Sequence, residues 1–156
     1  MSRTVVVDLD GALGDTRPLW DAFLADAARR FESIATLDPA ALPSDRVKAA
    51  AELDRWAEAG VGDWRRALER FAEDHAPVYL RPDPDANAAL RRLKRSGATV
   101  VVVTDAPEPL ARVAVAQLGL GRSVDELRAG VGPDPDALAD AASLDTAAAP
   151  RGYDRA

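Results

Sequence analysis

The sequence has 156 residues, the length of one typical domain or of one domain with a modest insertion. Its net charge is −6 and it has no cysteine, which disfavours general binding to nucleic acid or anionic lipid and excludes disulfides, thiolate catalysis and cysteine metal sites. No apolar run approaches the roughly 20 residues of a membrane span, and the N-terminus lacks a signal-peptide profile, so we expect a cytoplasmic protein without membrane partners.

Two runs of β-branched residues predict buried parallel strands, at residues 3–8 and 98–104. Each run ends in polar side chains, Asp8 and Asp10 after the first and Thr104 and Asp105 after the second. Ligands of open α/β sheets bind at the carboxyl edge of the strands. These four residues are therefore the first candidates for a functional site.

About ninety residues separate the two runs, far more than one crossover helix needs. Apolar residues at helical spacing predict three helices in this interval, over residues 18–31, 44–59 and 64–74. We therefore predict a helical insertion over residues 15–79, with an α/β core formed by residues 1–14 and 80–156.

The sequence after the insertion returns to an α/β pattern. One helix is predicted to begin near Asp83 and to end at Gly97, and another is predicted over residues 107–118. Beyond Gly121 the pattern weakens, and we expect short helices at 124–127 and 133–142 and no third strand.

Asp8 and Asp10 are two positions apart at the end of a strand and are followed by Gly11, which would let the chain turn sharply. Two carboxylates this close repel each other beneath an anionic substrate unless a cation is present. Mg²⁺ prefers oxygen ligands and pairs with substrate phosphate. One carboxylate could then attack phosphorus while the other acts as acid and base.

Residues 5–16, VVVDLDGALGDT, resemble the first motif of the haloacid-dehalogenase-like hydrolases, an apolar strand followed by D-x-D-G-T-L, with Ala12 where Thr is usual. The resemblance implies that Asp8 is the nucleophile and Asp10 the general acid and base. It also implies that Mg²⁺ is held by the Asp8 side chain and the Asp10 main-chain carbonyl. A Rossmann-like core with a helical cap over residues 15–79 follows from the same resemblance.

Residues 100–105, VVVVTD, resemble the second motif of this family, a strand ending in Ser or Thr. The resemblance implies that the Thr104 hydroxyl and neighbouring amides bind the phosphate. Asp105 is assigned to the same phosphate site, although it stands where the family commonly has Asn.

The third and fourth motifs match less well. Gly132-Pro133-Asp134-Pro135 has the P-D-P of the third motif, but Gly132 replaces the Lys that neutralises the nucleophile and the phosphate. Residues 143–149 only faintly resemble the end of the fourth motif, which completes the metal site. The candidate substitutes are Arg122 and Arg128 for the cation, and Asp134, Asp136, Asp140 and Asp145 for the metal ligand.

The sequence thus predicts a Mg²⁺-dependent phosphatase of a small phosphorylated metabolite, which could form a homodimer through its Ala-rich helices. Three alternatives stay open: a dehalogenase of the same family, a catalytically weakened relative that binds or regulates, and an incidental D-x-D-G turn in an unrelated helical protein. Trp20, Trp56 and Trp64 could line a substrate pocket, but the core of the insertion is the favoured interpretation. His75 is interpreted as a helix-end residue and not as a catalyst.

Overall fold

The computed structural model describes residues 3–150. Its sheet consists of three parallel strands in the order β1-β2-β3, with β1 at Thr4–Asp8, β2 at Thr99–Val103 and β3 at Glu126–Arg128. Asp8 pairs with Val103, and Val103 pairs with Arg128. The three strands therefore end at the same edge, and the predicted Rossmann-like α/β fold class is confirmed.

Valine runs form β1 and β2 because branched side chains pack well on a pleated surface. Val5 and Val7 of β1 are buried, and so are the four valines 100–103 of β2, which is covered on both faces. Helices flank this sheet and bury the valines, so the sheet edge that carries Asp8 is held on a rigid base.

Residues 3–150 contain six α-helices. They are α1 (Arg17–Arg30), α2 (Arg46–Trp56), α3 (Trp64–Tyr79), α4 (Pro84–Arg95), α5 (Glu108–Gln117) and α6 (Ala141–Ala148). The side chains of Asp45, Asp63 and Asp83 cap α2, α3 and α4 by accepting backbone N–H groups of the first turn. In the part of the chain that the structure describes, no helix is both long and apolar enough to cross a membrane.

The three helices α1, α2 and α3 lie in the segment predicted as an insertion. Trp20, Trp56 and Trp64 are buried there, and the rings of Trp20 and Trp64 meet edge to face with centroids 6.4 Å apart. Their interpretation as core residues is confirmed. Helix α3 runs five residues beyond its predicted end and contains Pro77. Ala76 in the additional turn and Leu80 directly after it are buried in the core, and this burial stabilises the longer helix.

The predictions for the region after α5 are wrong in two places. Residues 126–128 form the edge strand β3 and not a helix. Residues 133–140 are not helical either: Leu138 pairs with the free edge of β1, donating its N–H to Val6 O at 2.9 Å and accepting the Asp8 N–H at 2.9 Å. This pairing satisfies backbone groups of β1 that a helix would leave unpaired. The last helix, α6, begins only at Ala141.

Candidate active site

The chain turns sharply directly after β1, and the turn depends on Gly11. Its φ of +106° lies in the region that favours glycine, and a Cβ atom at this position would lie 2.5 Å from the carbonyl oxygen of Ala139. Hydrogen bonds from Gly11 N to Gly14 O (2.8 Å) and from Gly14 N to Leu9 O (3.0 Å) close the turn. Asp8 is thereby held at the end of β1, directly before the turn, and Asp10 is held inside the turn.

Asp8 lines a cavity at the carboxyl edge of the sheet and is half-buried. Burial raises the pKa of its carboxyl group, and the negative charges of Asp10, Asp134 and Asp105 raise it further. The environment of Asp8 in the cavity therefore destabilises its ionised form. A cation bound beside it would relieve this effect.

Asp10 has the opposite environment, because four donors converge on its carboxylate. Thr16 donates its N–H (2.7 Å) and its hydroxyl (2.6 Å) to Oδ1, while Thr104 Oγ1 (2.9 Å) and Arg46 Nη2 (2.6 Å) donate to Oδ2. Burial raises the pKa of Asp10, but the charge of Arg46 and the hydrogen bonds from the two threonines outweigh it and lower the pKa below 3.8. The structure thus favours an ionised Asp10, which can accept a proton.

Arg46 is a site residue that the sequence analysis missed. It is the first residue of α2, and its side chain is fully buried. The guanidinium donates to Asp10, to Thr16 Oγ1 (2.7 Å) and to Asp105 Oδ1 (3.0 Å from Nε). The only sequence signal was a basic residue in the first turn of a helix, where the helix dipole disfavours it. That signal is too weak to identify a partner many residues away.

Thr104 and Asp105 follow β2, and both line the cavity beside Asp10. The Thr104 hydroxyl donates to Asp10 and accepts the Ala106 N–H at 3.1 Å. The Asp105 carboxylate binds Arg46 through that residue's N–H (3.1 Å) and guanidinium, and Arg17 Nη2 lies 3.6 Å away. Only the main chain of Asp105 is left for the phosphate role that the resemblance implies, since its carboxylate would repel an anion.

The cavity has a volume of about 560 Å³, within the usual range for small-molecule sites. Arg17 lines it and is half exposed, while Ser44 and Asp45 approach from the loop before α2. Gly132 lines it from the opposite segment, and a Cβ atom there would meet no heavy atom within 4 Å. The position where the family has a Lys thus faces the cavity and has room for a side chain.

The substitutes suggested by the sequence lie mostly elsewhere. Arg128 pairs with Glu126, and Arg122 is exposed; neither lines the cavity. Asp140 caps α6, Asp145 pairs with Arg92, and Asp136 is exposed. Asp134 is the exception, because its charge contributes to the raised pKa of Asp8.

The donors available to a metal ion are few. Within residues 3–150, no group of three or more His, Asp or Glu side chains converges in the manner of a complete metal site. The Asp10 carboxylate is occupied by its four donors, which leaves the Asp8 carboxylate for a cation, with the charge of Asp134 near it. The resemblance adds the Asp10 main-chain carbonyl to this set. This set fits Mg²⁺, which is often bound by one or two carboxylates together with water and substrate phosphate.

The fold and the site define an α/β protein with a carboxylate centre at the carboxyl edge of a parallel sheet. The model of one family, described as haloacid dehalogenase-like hydrolase, matches residues 2–144. The chain belongs to this family. The interpretation of the D-x-D-G turn as incidental in an unrelated protein is therefore wrong.

Among curated relatives, a phosphoglycolate phosphatase from Neisseria gonorrhoeae is 31% identical over 133 residues, with 76% of this chain and 54% of the relative covered. Two solved structures of CbbY from Rhodobacter sphaeroides share the fold, one in complex with phosphate (18% identity) and one, a mutant, with xylulose-1,5-bisphosphate (19% identity). Both have a TM-score of 0.58 and cover 86% of this chain and 67% of the other. The chain thus spans about half the length of the curated relative that it matches.

Proposed function

We propose that this protein is a phosphatase that uses Mg²⁺ and hydrolyses a small phosphorylated metabolite through an aspartyl-phosphate on Asp8. The observation that supports this proposal most directly is that two carboxylates at one edge of the sheet have opposite environments. Asp8 lines the cavity, whereas the carboxylate of Asp10 accepts hydrogen bonds from four donors. Membership of a hydrolase family and the similarity to a phosphoglycolate phosphatase support the reaction class.

In the proposed reaction, an Asp8 oxygen attacks phosphorus, and the bond between phosphorus and the substrate's leaving oxygen breaks. A proton passes from Asp10 to that oxygen, and Asp10 later takes a proton from the water that hydrolyses the aspartyl-phosphate. Asp10 is in the ionised form that the second step needs, because the charge of Arg46 and the hydrogen bonds from the two threonines lower its pKa. The first step requires a protonated Asp10, so it would proceed from the fraction of the protein in which Asp10 carries a proton.

Bound Mg²⁺ would offset the charge of Asp8 and of the phosphate. The Asp8 carboxylate and the Asp10 main-chain carbonyl are the groups that would hold it. Thr104, which lines the cavity, would turn its hydroxyl from Asp10 to the phosphate. The helical segment 15–79 would act as the cap that excludes water and contacts the leaving group.

The cavity volume and the net charge of −6 favour a small substrate over nucleic acid. Phosphoglycolate is the first substrate to test, because the curated relative is named for it. A sugar bisphosphate is the second, since one CbbY structure holds xylulose-1,5-bisphosphate.

The weakened binding relative is the second candidate, and Gly132 favours it. This residue lines the cavity without a side chain to stabilise the transferring phosphoryl group. Loss of one such donor can lower the rate by about 10²-fold or more. Binding of phosphate without turnover would support this candidate.

Hydrolysis of a generic aryl phosphate and of phosphoglycolate, with and without Mg²⁺, tests the proposal. Asp8→Asn should lower turnover by at least about 10³-fold, because the nucleophile is lost. Asp21→Asn, the same change at an exposed position of α1, is the matched control and should retain the wild-type rate. Turnover that needs no Mg²⁺, or that survives Asp8→Asn, would contradict the proposal.

A further inference from the structure

Four aspartates, Asp8, Asp10, Asp45 and Asp105, line one cavity, and Arg17 is the one basic residue among the described residues that line it. A phosphate dianion that entered this cavity would be repelled by the carboxylates. Arg17 is half exposed and lies 3.6 Å from Asp105, so it offsets this repulsion only in part. A further, buried positive charge would offset more of it.

Arg46 is placed to supply this charge. Its fully buried guanidinium lies 2.6 Å from Asp10 Oδ2 and 2.9 Å from Asp105 Oδ1, measured from Nη2. Burying a charge is costly, and a cation in the first turn of a helix opposes the helix dipole. An arginine at this position therefore does not stabilise α2 by itself. Its presence is explained by its two carboxylate partners at the cavity.

Asp105 and Arg46 form a matched pair in this chain. Asp105 stands where the family commonly has Asn, and both of its oxygens accept hydrogen bonds from Arg46: Oδ1 from the side chain and Oδ2 from the main-chain N–H. An Asn would leave only one of these acceptors. This chain thus has Asp105 where the family commonly has Asn, a cation on α2 that binds it, and Gly132 where the family has Lys.

We propose that Arg46 is a positioning residue that supplies from α2 the fixed positive charge that Gly132 cannot, by neutralising and orienting Asp10 and Asp105. Arg46 does not line the cavity, so it acts through these two carboxylates. A phosphate in the cavity then meets two carboxylates, those of Asp10 and Asp105, whose charge Arg46 already offsets. Because the charge is carried by α2, it is present only while α2 is seated on the core.

The role of Arg46 in turnover rests on the proposed function, but its effect on phosphate binding is measured without turnover. The experiment is calorimetric titration of the full chain with inorganic phosphate in the presence of Mg²⁺. Four proteins are compared: wild type, Arg46→Met, Gly132→Lys and the double variant. Met keeps most of the apolar stem of Arg46 and removes its charge, and Gly132 has room for Lys.

We expect Arg46→Met to weaken phosphate binding by about 10-fold or more, the scale of one lost charge interaction at a partly screened site. Gly132→Lys should raise the affinity by a smaller factor in the wild-type background than in Arg46→Met, because Arg46 already supplies part of the charge. In the Arg46→Met background the same lysine should restore the affinity to within about 3-fold of wild type. The effects of the two substitutions on phosphate affinity are then non-additive, as expected for two groups that supply the same charge. If Arg46 had only a structural role, a lysine at position 132 would not compensate for its loss.

Equal gains from Gly132→Lys in both backgrounds, unchanged affinity in Arg46→Met, or no phosphate binding by the wild type would each overturn the inference. If Arg46→Met does not fold, the comparison of wild type with Gly132→Lys decides, because a gain of 10-fold or more would mean that the wild-type site lacks the charge. If the four proteins show the expected binding pattern but no turnover, the inference on Arg46 is supported and the proposed function is wrong. If the wild type turns over substrate but Arg46→Met binds phosphate as well as wild type, the proposed function is supported and the inference on Arg46 is wrong.

Discussion

The guanidinium of Arg46 lies 2.6 Å from a carboxylate oxygen of Asp10, although 36 positions separate the two residues in the sequence. The contact joins the first residue of α2 to the turn after β1. It fixes the position of Asp10, the acid and base of the proposed reaction. It also makes the helical segment and the sheet edge depend on each other for stability.

Asp105→Asn should lower the free energy of unfolding by about 1–3 kcal/mol, because the buried Arg46 guanidinium loses one of its two carboxylate partners. Urea denaturation at neutral pH measures this change. Asp21→Asn is the control at an exposed site and should shift the free energy by less than about 0.5 kcal/mol. Equal stability of Asp105→Asn and wild type would mean that the ion pair contributes nothing to the fold.

Gly11→Ala should destabilise the protein by at least about 1–2 kcal/mol, because a side chain is disfavoured at its φ of +106° and its Cβ would meet Ala139 O at 2.5 Å. Gly121→Ala is the matched control, since a Cβ atom there meets nothing within 4 Å. Thermal and urea unfolding of the two variants are compared. If both variants unfold alike, the turn after β1 does not require glycine.

Asp125 gives a pH-dependent prediction away from the site. The hydrogen bond from Lys94 Nζ (2.6 Å), followed by that from the Val100 N–H (2.7 Å), lowers the pKa of Asp125 below 3.8. A carboxyl group whose pKa is lower in the folded state stabilises the protein above its unfolded pKa, and this stability is lost as the pH falls through its folded pKa. Asp125→Asn should therefore lower Tm at pH 7, and its difference from wild type should shrink steadily below pH 3.8. A constant difference across this range would contradict the prediction.

The pKa of the Asp8 carboxyl group should respond to a change at Asp134. Burial, and then the charges of Asp10 and Asp134, raise this pKa above its ordinary value. Asp134→Asn should lower the pKa of Asp8, because one negative charge near it is removed. Titration of the Asp8 side-chain carboxyl carbon by NMR without Mg²⁺ measures the shift, and the exposed Asp21→Asn is the control. An equal pKa of Asp8 in wild type and Asp134→Asn would contradict the prediction.

The position of the candidate active site at the carboxyl edge of the sheet could be predicted from the sequence, because it follows from local patterns. Two valine runs with polar ends place Asp8 and Thr104 at one edge of a parallel sheet, and the structure has them there. Strand β3 was missed because its three residues, with Leu127 as the single apolar one, are too few to show a period. Arg46 was missed for a different reason. Its partners come from two distant turns, and no local spacing predicts such a contact.

Detection of a phosphoenzyme is the decisive test of Asp8 as the nucleophile. The full chain is mixed with aryl phosphate and Mg²⁺, quenched in acid within one turnover, and analysed by intact mass and by peptide mapping after reduction of the acyl phosphate with borohydride. We expect one added phosphoryl group on wild type, located at Asp8, and none on Asp8→Asn. Turnover without any labelled Asp8, or a phosphoryl group on another residue, would contradict it.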